Sequence, residues 1–154
     1  MRAEILDLDH RHKRAARIVI NASPAKIFGY LARPAAHSLF DGSSTVQSAL
    51  SGPDRLFLGA KFGMEMKIKV PYRITNEVVA FEENHLITWR HLMKWTWSYE
   101  LVDLGNGSTE VTETFDASVC NSAQLWWLKK TDSLSRNPKW MAKSLVKLKA
   151  LCEG

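Results

Sequence analysis

Residues 95–118 read WTWSYELVDLGNGSTEVTETFDAS, and this stretch decides the fold class. Two runs of alternating apolar and polar residues flank Gly105-Asn106-Gly107, and alternation with period two is typical of a half-buried β-strand. Glycine and asparagine tolerate positive φ, so the three residues between the runs favour a tight turn. The stretch therefore predicts an antiparallel β-hairpin.

The register of this hairpin follows from the position of its turn. Centring the turn at Asn106 places Trp97 opposite Phe115. In the same register Tyr99 lies opposite Glu113, on the same face of the sheet. The inner face of the hairpin is thus predicted to be aromatic and to carry one carboxyl group.

Earlier turns extend the sheet towards the N-terminus. A turn centred at Met93 places Trp89 opposite Trp97. A two-residue turn at Glu83-Asn84 places Val78 opposite Trp89. The remaining pairs of this register are Asn76 with His91 and His91 with Trp95.

The strand before these hairpins has an alternating pattern as well. Phe62, Met64 and Met66 alternate with polar or small residues and are predicted to face inward. One layer of the interior is then predicted to be wholly apolar: Met64, Val78, Trp89, Trp97 and Phe115. The same register places five charged residues outside, which supports it: Arg73, Glu77, Arg90, Glu100 and Asp116.

Two short helices are predicted ahead of the main sheet. Residues 14–21 indicate a first strand, after which Ser23-Pro24 indicates a helix start. Serine accepts from the free N–H groups of a first turn, and proline suits the first helical position. Pro34 is predicted to end this helix, and residues 35–40 predict a second one.

The C-terminal region predicts one long helix over residues 138–151. Asn137-Pro138 has the residue types of a helix start. Behind it, apolar residues recur at steps of four, three and four: Met141, Leu145, Leu148 and Cys152. Lys139, Lys143 and Lys147 recur on another face, which indicates a solvated surface. The chain is therefore predicted to be an α+β protein in which one helix covers an antiparallel sheet.

This order of elements, with several short sequences, resembles the START-like or helix-grip superfamily, often called SRPBCC. The sequences are NASPAKIF at 21–28, DGS at 41–43, LGAKFGM at 58–64, WSYEL at 97–101 and GSTEVTET at 107–114. The chain looks most like the uncharacterised polyketide cyclase/dehydrase-like branch, over roughly residues 14–152. The resemblance implies about seven strands wrapped around the C-terminal helix, with an internal hydrophobic cavity. It supplies no catalytic motif to carry across.

The inward-facing residues make a candidate ligand-binding cavity. Its expected lining is Met64, Met66, Asn76, Val78, Trp89, His91, Trp97, Tyr99, Glu113, Phe115 and Leu145. Glu113, Tyr99 and His91 are the candidate catalytic residues, because carboxyl, phenol and imidazole groups can transfer protons. Alternatives stay open: a β-bulge would turn Glu113 to solvent, His91 could be a surface residue beside a turn, and the aromatic residues could be plain core.

Composition argues against several other classes. The net charge of +5 lies mostly in the C-terminal helical region, where the lysines indicate a solvated helix face. Because the sequence has no zinc-finger spacing, RNA-binding aromatic signature or helix-turn-helix pattern, we expect no nucleic-acid partner. Cys120 and Cys152 are expected to be reduced thiols in the cytoplasm, without metal-ligand spacing. Three histidines also lack partners at metal spacing: His10, His12 and His37. We expect no cofactor, no metal, no membrane-spanning segment, and one domain over 1–154 in which 1–13 form a loosely ordered extension.

Three functions are compatible with this sequence. The preferred one is a carrier or sensor that encloses a hydrophobic small molecule, lipid-like or polyaromatic, because no nucleophile–base pair stands out. The second is a polyketide aromatase/cyclase- or dehydratase-type enzyme whose cavity residues transfer protons. The third is a ligand-gated protein whose basic C-terminal region meets a partner. We expect a monomer or a homodimer.

Overall fold

A computed structural model describes residues 2–43, 46–67 and 70–154, which form an α+β fold. Within these residues eight strands form one antiparallel sheet: β1 (Glu4–Leu6), β2 (Lys13–Ile20), β3 (Val46–Ser51), β4 (Lys61–Lys67), β5 (Pro71–Glu82), β6 (Leu86–His91), β7 (Thr96–Asp103) and β8 (Thr109–Asp116). Their order is β1-β2-β8-β7-β6-β5-β4-β3. The helices are α1 (Pro24–Leu31), α2 (His37–Phe40), α3 (Ser122–Lys130) and α4 (Ser133–Glu153), with a 3-10 turn at Pro34–Ala36. The predicted fold class is confirmed.

The central hairpins have the predicted register. Trp97 pairs with Phe115 and Tyr99 pairs with Glu113 between β7 and β8. Trp89 pairs with Trp97 between β6 and β7. No register shift interrupts β8 in its pairings with β2 and β7, so the bulge that would have turned Glu113 outward is not present there.

The turn between β5 and β6 differs from the prediction, although the register beyond it does not. Glu82 pairs with Leu86, so three residues rather than two form the turn. A register shift between Val78 and Ala80 then restores the predicted pairing of Val78 with Trp89. One residue added at the turn is thus compensated by one bulge in the strand.

The predicted apolar layer is wrong at its β4 end. Met64 pairs with Ile74, whereas Val78 donates a backbone hydrogen bond to Ala60. Met64 and Val78 therefore lie in different layers. The side chains of β4 that were predicted to face inward do so, because Phe62 and Met64 are both buried. The register of β4 against β5 is different from the prediction because no turn residues in the sequence determine it.

The N-terminal segment is more ordered than the sequence indicates. Glu4, Ile5 and Leu6 form β1, which pairs with β2 at one edge of the sheet. Arg17 of β2 donates to the carboxylate of Glu4 at 2.8 Å. The following helix starts as predicted, with the Ser23 hydroxyl accepting from the Lys26 N–H.

The long helix begins five residues earlier than predicted. Asp132 adopts a left-handed conformation with φ of 57°, and α4 starts at Ser133, so Asn137 and Pro138 lie inside the helix. Proline has no N–H to donate to the carbonyl four residues earlier. That carbonyl, on Leu134, instead accepts from Arg14 Nε of β2 at 3.1 Å. The hydrogen bond lost within the helix is thereby replaced by one to the sheet.

Helix α4 packs on the sheet through the apolar stripe that the sequence predicts. Met141, Leu145, Leu148 and Cys152 are all buried. Gly42, in the loop after α2, donates its N–H to Ser144 Oγ of α4 at 2.8 Å. A side chain at position 42 would collide with the backbone of Trp140 and Ser144, so glycine permits this close approach.

Among the helices in the described ranges, we find none with the length and apolar character that crossing a bilayer requires.

Candidate functional site

A cavity of about 220 Å³ lies between the inner face of the sheet and α4. Nine residues from the predicted lining contribute to its wall: Met64, Met66, Asn76, Trp89, His91, Trp97, Tyr99, Glu113 and Phe115. The other two, Val78 and Leu145, are buried but do not line it. The sheet thus brings together most of the residues that parity reasoning selects.

Helices and loops complete the wall with residues that sequence reasoning does not select. His37 and Phe40 come from α2, and Asp41 follows directly. Residues of α4 close the opposite side: Ser133, Arg136, Asn137, Trp140 and Met141. Tyr72 and Ile74 of β5 also line the cavity.

Aromatic rings form most of the sheet side of the cavity. Trp89 lies between two other rings, with centroids 5.8 Å from Phe62 and 5.7 Å from Tyr99. Trp97 and Phe115 lie 4.7 Å apart. Rings at these separations attract one another beyond their burial and leave a stiff wall, because each has few rotatable bonds. Such a wall favours flat, apolar ligands.

Glu113 places a buried carboxyl group in this aromatic wall. Its side chain is only 4% exposed, and Oε1 accepts from the Tyr99 hydroxyl at 2.8 Å. The second oxygen, Oε2, is buried and has no hydrogen-bond partner among the described residues. A buried carboxylate oxygen without a partner is costly, so the acid is more stable here in its protonated form.

Burial raises the pKa of Glu113 to about 8. The hydrogen bond from Tyr99 acts in the opposite direction, and the charge of Asp41 raises the pKa further. Burial also raises the pKa of Tyr99 well above its usual value. At neutral pH the pair is therefore a phenol that donates to a carboxylic acid, whose own O–H is free to donate from Oε2.

His37 is a second buried titratable group at the cavity. Its ring is stacked on Trp89 at 5.0 Å, and Nε2 lies 2.9 Å from the carbonyl oxygen of Leu31. Burial lowers the pKa of His37 to about 4, so the ring is neutral at physiological pH. Because a carbonyl only accepts, the proton must be on Nε2, which leaves Nδ1 as an acceptor.

His91 has a structural role beside the turn between β6 and β7. Its Nδ1 accepts from the Met93 N–H at 3.0 Å, and its ring stacks on Trp95 at 4.5 Å. Burial lowers the pKa of His91. Since Nδ1 accepts from the turn and the ring is packed, only Nε2 of His91 is left for proton transfer.

Arg136 brings a positive charge to the helix side of the cavity. One terminal nitrogen donates to Ser133 Oγ at 3.0 Å, and the guanidinium carbon lies 4.4 Å from the ring centre of Trp140. These two contacts fix the plane of the guanidinium. Nε is buried and has no partner among the described residues, and partial burial lowers the pKa of Arg136.

Sequence reasoning misses His37, Asp41 and Arg136 for one reason. All three lie on helices or on the loop after a helix, and alternation along strands carries no information about where a helix docks. From the sequence, His37 enters only as a possible metal ligand. Within the described residues no three His, Cys, Asp or Glu side chains are grouped as metal ligands. A usable signal is the spacing of His37 and Phe40, which places two rings on one face of a short helix.

The fold and this cavity agree with the relationships of the sequence. A family described as "Polyketide cyclase / dehydrase and lipid transport" matches residues 11–153. This chain belongs to that family. The family's description names both catalysis and transport of hydrophobic molecules, so membership narrows the function without choosing between the two.

The chain is similar in sequence to curated proteins and similar in fold to proteins of known structure. The uncharacterised protein Rv0088 of Mycobacterium tuberculosis is 41% identical over 105 residues, which cover 67% of this chain and 47% of that protein. The chain thus spans about half the length of the curated relatives it matches. Protein Ms6760 from Mycobacterium smegmatis has a TM-score of 0.71 at 15% identity, over 98% of this chain and 97% of that one.

A further solved structure is the Polyketide_cyc-like protein Cgl2372 from Corynebacterium glutamicum. It has a TM-score of 0.61 at 16% identity and covers 92% of this chain and 91% of that one. At such identities the likeness to solved structures shows the fold alone.

Proposed function

We propose that the protein binds a small, flat, hydrophobic molecule in the cavity beneath α4, as a carrier or a sensor. The observation that carries this proposal is Glu113, a buried carboxylic acid whose Oε2 has no partner among the described residues, set in an aromatic wall. An apolar pocket with a few convergent polar groups is the usual form of a small-molecule site. Family membership supports the same function.

The size of the cavity limits the ligand. Its volume of about 220 Å³ is below the roughly 300–1,000 Å³ of most drug-sized pockets. One or two fused rings suit this space better than a polycyclic skeleton or a long acyl chain. Among the hydrophobic molecules that family membership allows, the volume thus favours small aromatic compounds over lipids.

Binding can be measured through the tryptophans of the cavity. Four of the six line it: Trp89, Trp95, Trp97 and Trp140. Trp126 and Trp127 on α3 are 59% and 46% exposed. In a Trp126→Phe/Trp127→Phe variant, 2-acetylnaphthalene is expected to quench the remaining fluorescence saturably with one site. Quenching that rises linearly without saturation would contradict the proposed function.

One observation favours a second function, proton transfer on a bound carbonyl compound. Glu113 has a pKa of about 8 and is hydrogen-bonded to Tyr99, so it can give up or take a proton near neutral pH. Donation of the Oε2 proton to a ketone oxygen would promote transfer of a proton from the neighbouring carbon to water, which leaves an enol and the Glu113 carboxylate. When the ketone re-forms, the carbon takes a proton from water and the enol O–H returns its proton to Glu113. Enol formation is the elementary step of cyclisation and dehydration chemistry.

Hydrogen–deuterium exchange separates a carrier from such an enzyme. If Glu113 acts as a general acid, the methyl protons of 2-acetylnaphthalene should exchange in D₂O about 10²- to 10⁴-fold faster on the wild-type protein than on Glu113→Gln. NMR of the ketone measures both rates, and Glu100→Gln, exposed on β7, serves as the control. Equal rates for wild type, Glu113→Gln and buffer would leave binding as the function.

A further inference from the structure

Two polar groups of different chemistry line the cavity without a full set of hydrogen-bond partners. Among the described residues, the buried side-chain nitrogen and oxygen atoms without a hydrogen-bond partner are Glu113 Oε2 and Arg136 Nε. Both residues line the same cavity, Glu113 from β8 of the sheet and Arg136 from α4. Native proteins leave few such atoms unpaired, so two at one cavity point to a ligand that pairs with both.

The Arg136 guanidinium favours an anionic group. None of the ion pairs among the described residues includes Arg136, and its guanidinium is held in place by Ser133 and Trp140. A guanidinium fixed in this way pairs favourably with a carboxylate, through charge-assisted hydrogen bonds. Because Nε is the buried nitrogen that lacks a partner, a monoanion that places one oxygen on it suits this position better than a phosphate with two charges and three oxygens.

Protonated Glu113 favours a neutral acceptor. The protonated acid can donate from Oε2, and Tyr99 already occupies Oε1. Asp41 lines the cavity, and its charge acts on Glu113. The charge of Asp41 disfavours an anionic group at Glu113, so a ligand with one charge places that charge on Arg136.

We infer, on the basis of the proposed function, that the ligand is an aromatic carboxylic acid whose carboxylate binds Arg136 and whose carbonyl or hydroxyl oxygen accepts from Glu113. Its rings would contact the apolar part of the lining, which includes Phe62, Trp89 and Trp97. Arg136 thus determines specificity for acids over neutral compounds of the same shape.

A matched pair of probes tests the charge requirement. The carboxylate 6-acetyl-2-naphthoate and the carboxamide 6-acetyl-2-naphthamide have nearly the same shape and differ in charge. Calorimetric titration of the wild-type protein should give at least about tenfold tighter binding of the carboxylate, the effect of one charge-assisted hydrogen bond. Equal or weaker binding of the carboxylate would overturn this inference and leave the proposed function intact. Failure of both probes and of 2-acetylnaphthalene to bind would contradict both.

Variants on α4 assign the preference to Arg136. Arg136→Gln should remove the tenfold preference and leave carboxamide binding within about twofold of wild type. Lys139→Gln, which removes one charge from an exposed position on the same helix, should retain the preference. Arg136→Lys keeps the positive charge but lacks the planar guanidinium, so it should retain part of the preference for the carboxylate. This variant provides a second measurement if Arg136→Gln folds poorly. A full preference in both Arg136 variants would overturn the assignment.

Discussion

Replacing Leu145 with alanine is expected to lower the free energy of unfolding by about 2–5 kcal/mol. Leu145 is completely buried, in the middle of the stripe by which α4 contacts the sheet. Truncation there loses the transfer free energy of the side chain and leaves a void that the rigid aromatic core cannot fill completely. Urea denaturation of both proteins measures the difference.

The neighbouring residue provides the control for this substitution. Val146 lies on the same helix and is 38% exposed, so Val146→Ala should change the free energy of unfolding by less than about 0.5 kcal/mol. If Leu145→Ala also costs close to nothing, then that face of α4 is not packed in the core. The helix could then not form the roof of the cavity.

Replacing Glu113 with glutamine is expected to make the protein more stable above neutral pH and to leave it nearly unchanged at pH 4. The pKa of Glu113 is about 8 in the folded protein against an ordinary value of 4.5. Below pH 4.5 the acid is protonated in both the folded and unfolded states. Between pH 4.5 and 8 only the unfolded state releases the proton, so the wild-type protein loses up to about 1.4 kcal/mol per pH unit. Glutamine has no proton to release and avoids this loss.

Thermal melts at pH 4, 6 and 8 measure this dependence. The stability difference between Glu113→Gln and wild type should grow across the series, whereas Glu100→Gln, at an exposed position on β7, should follow wild type. Each difference compares two proteins at the same pH, so the contributions of the other titrating groups to stability cancel. Melting curves of Glu113→Gln that coincide with wild type at all three pH values would show that this carboxyl group is solvated in the folded protein.

The strand register around the cavity could be predicted because it depends on local chemistry. Turn residues such as those at 105–107 fix the pairing of adjacent strands, and the period of two then fixes which side chains face inward. These two rules are sufficient to place Tyr99 opposite Glu113. The same reasoning is wrong for Met64 and Val78, because the connection between β4 and β5 has no turn signal that sets the register.

Features that depend on tertiary contacts could not be predicted from the sequence. Asn137-Pro138 has the composition of a helix start, but Arg14 satisfies the Leu134 carbonyl and lets the helix run through Pro138. A helix that began at Pro138 would leave Arg136 in the segment before it, and not in the cavity wall. The position of His37 likewise follows from the docking of α2 on Trp89, which no pattern along the chain encodes.

The central claim, that a hydrophobic molecule binds in the cavity beneath α4, is tested most directly by NMR of ¹³C-methyl-labelled methionine. Met64, Met66 and Met141 line the cavity, whereas Met93 packs against the core outside it. On titration with 2-acetylnaphthalene, ring currents should shift the three cavity methyl signals saturably and leave the Met93 signal in place. Unchanged cavity signals, or a Met93 shift as large as theirs, would contradict binding at this site.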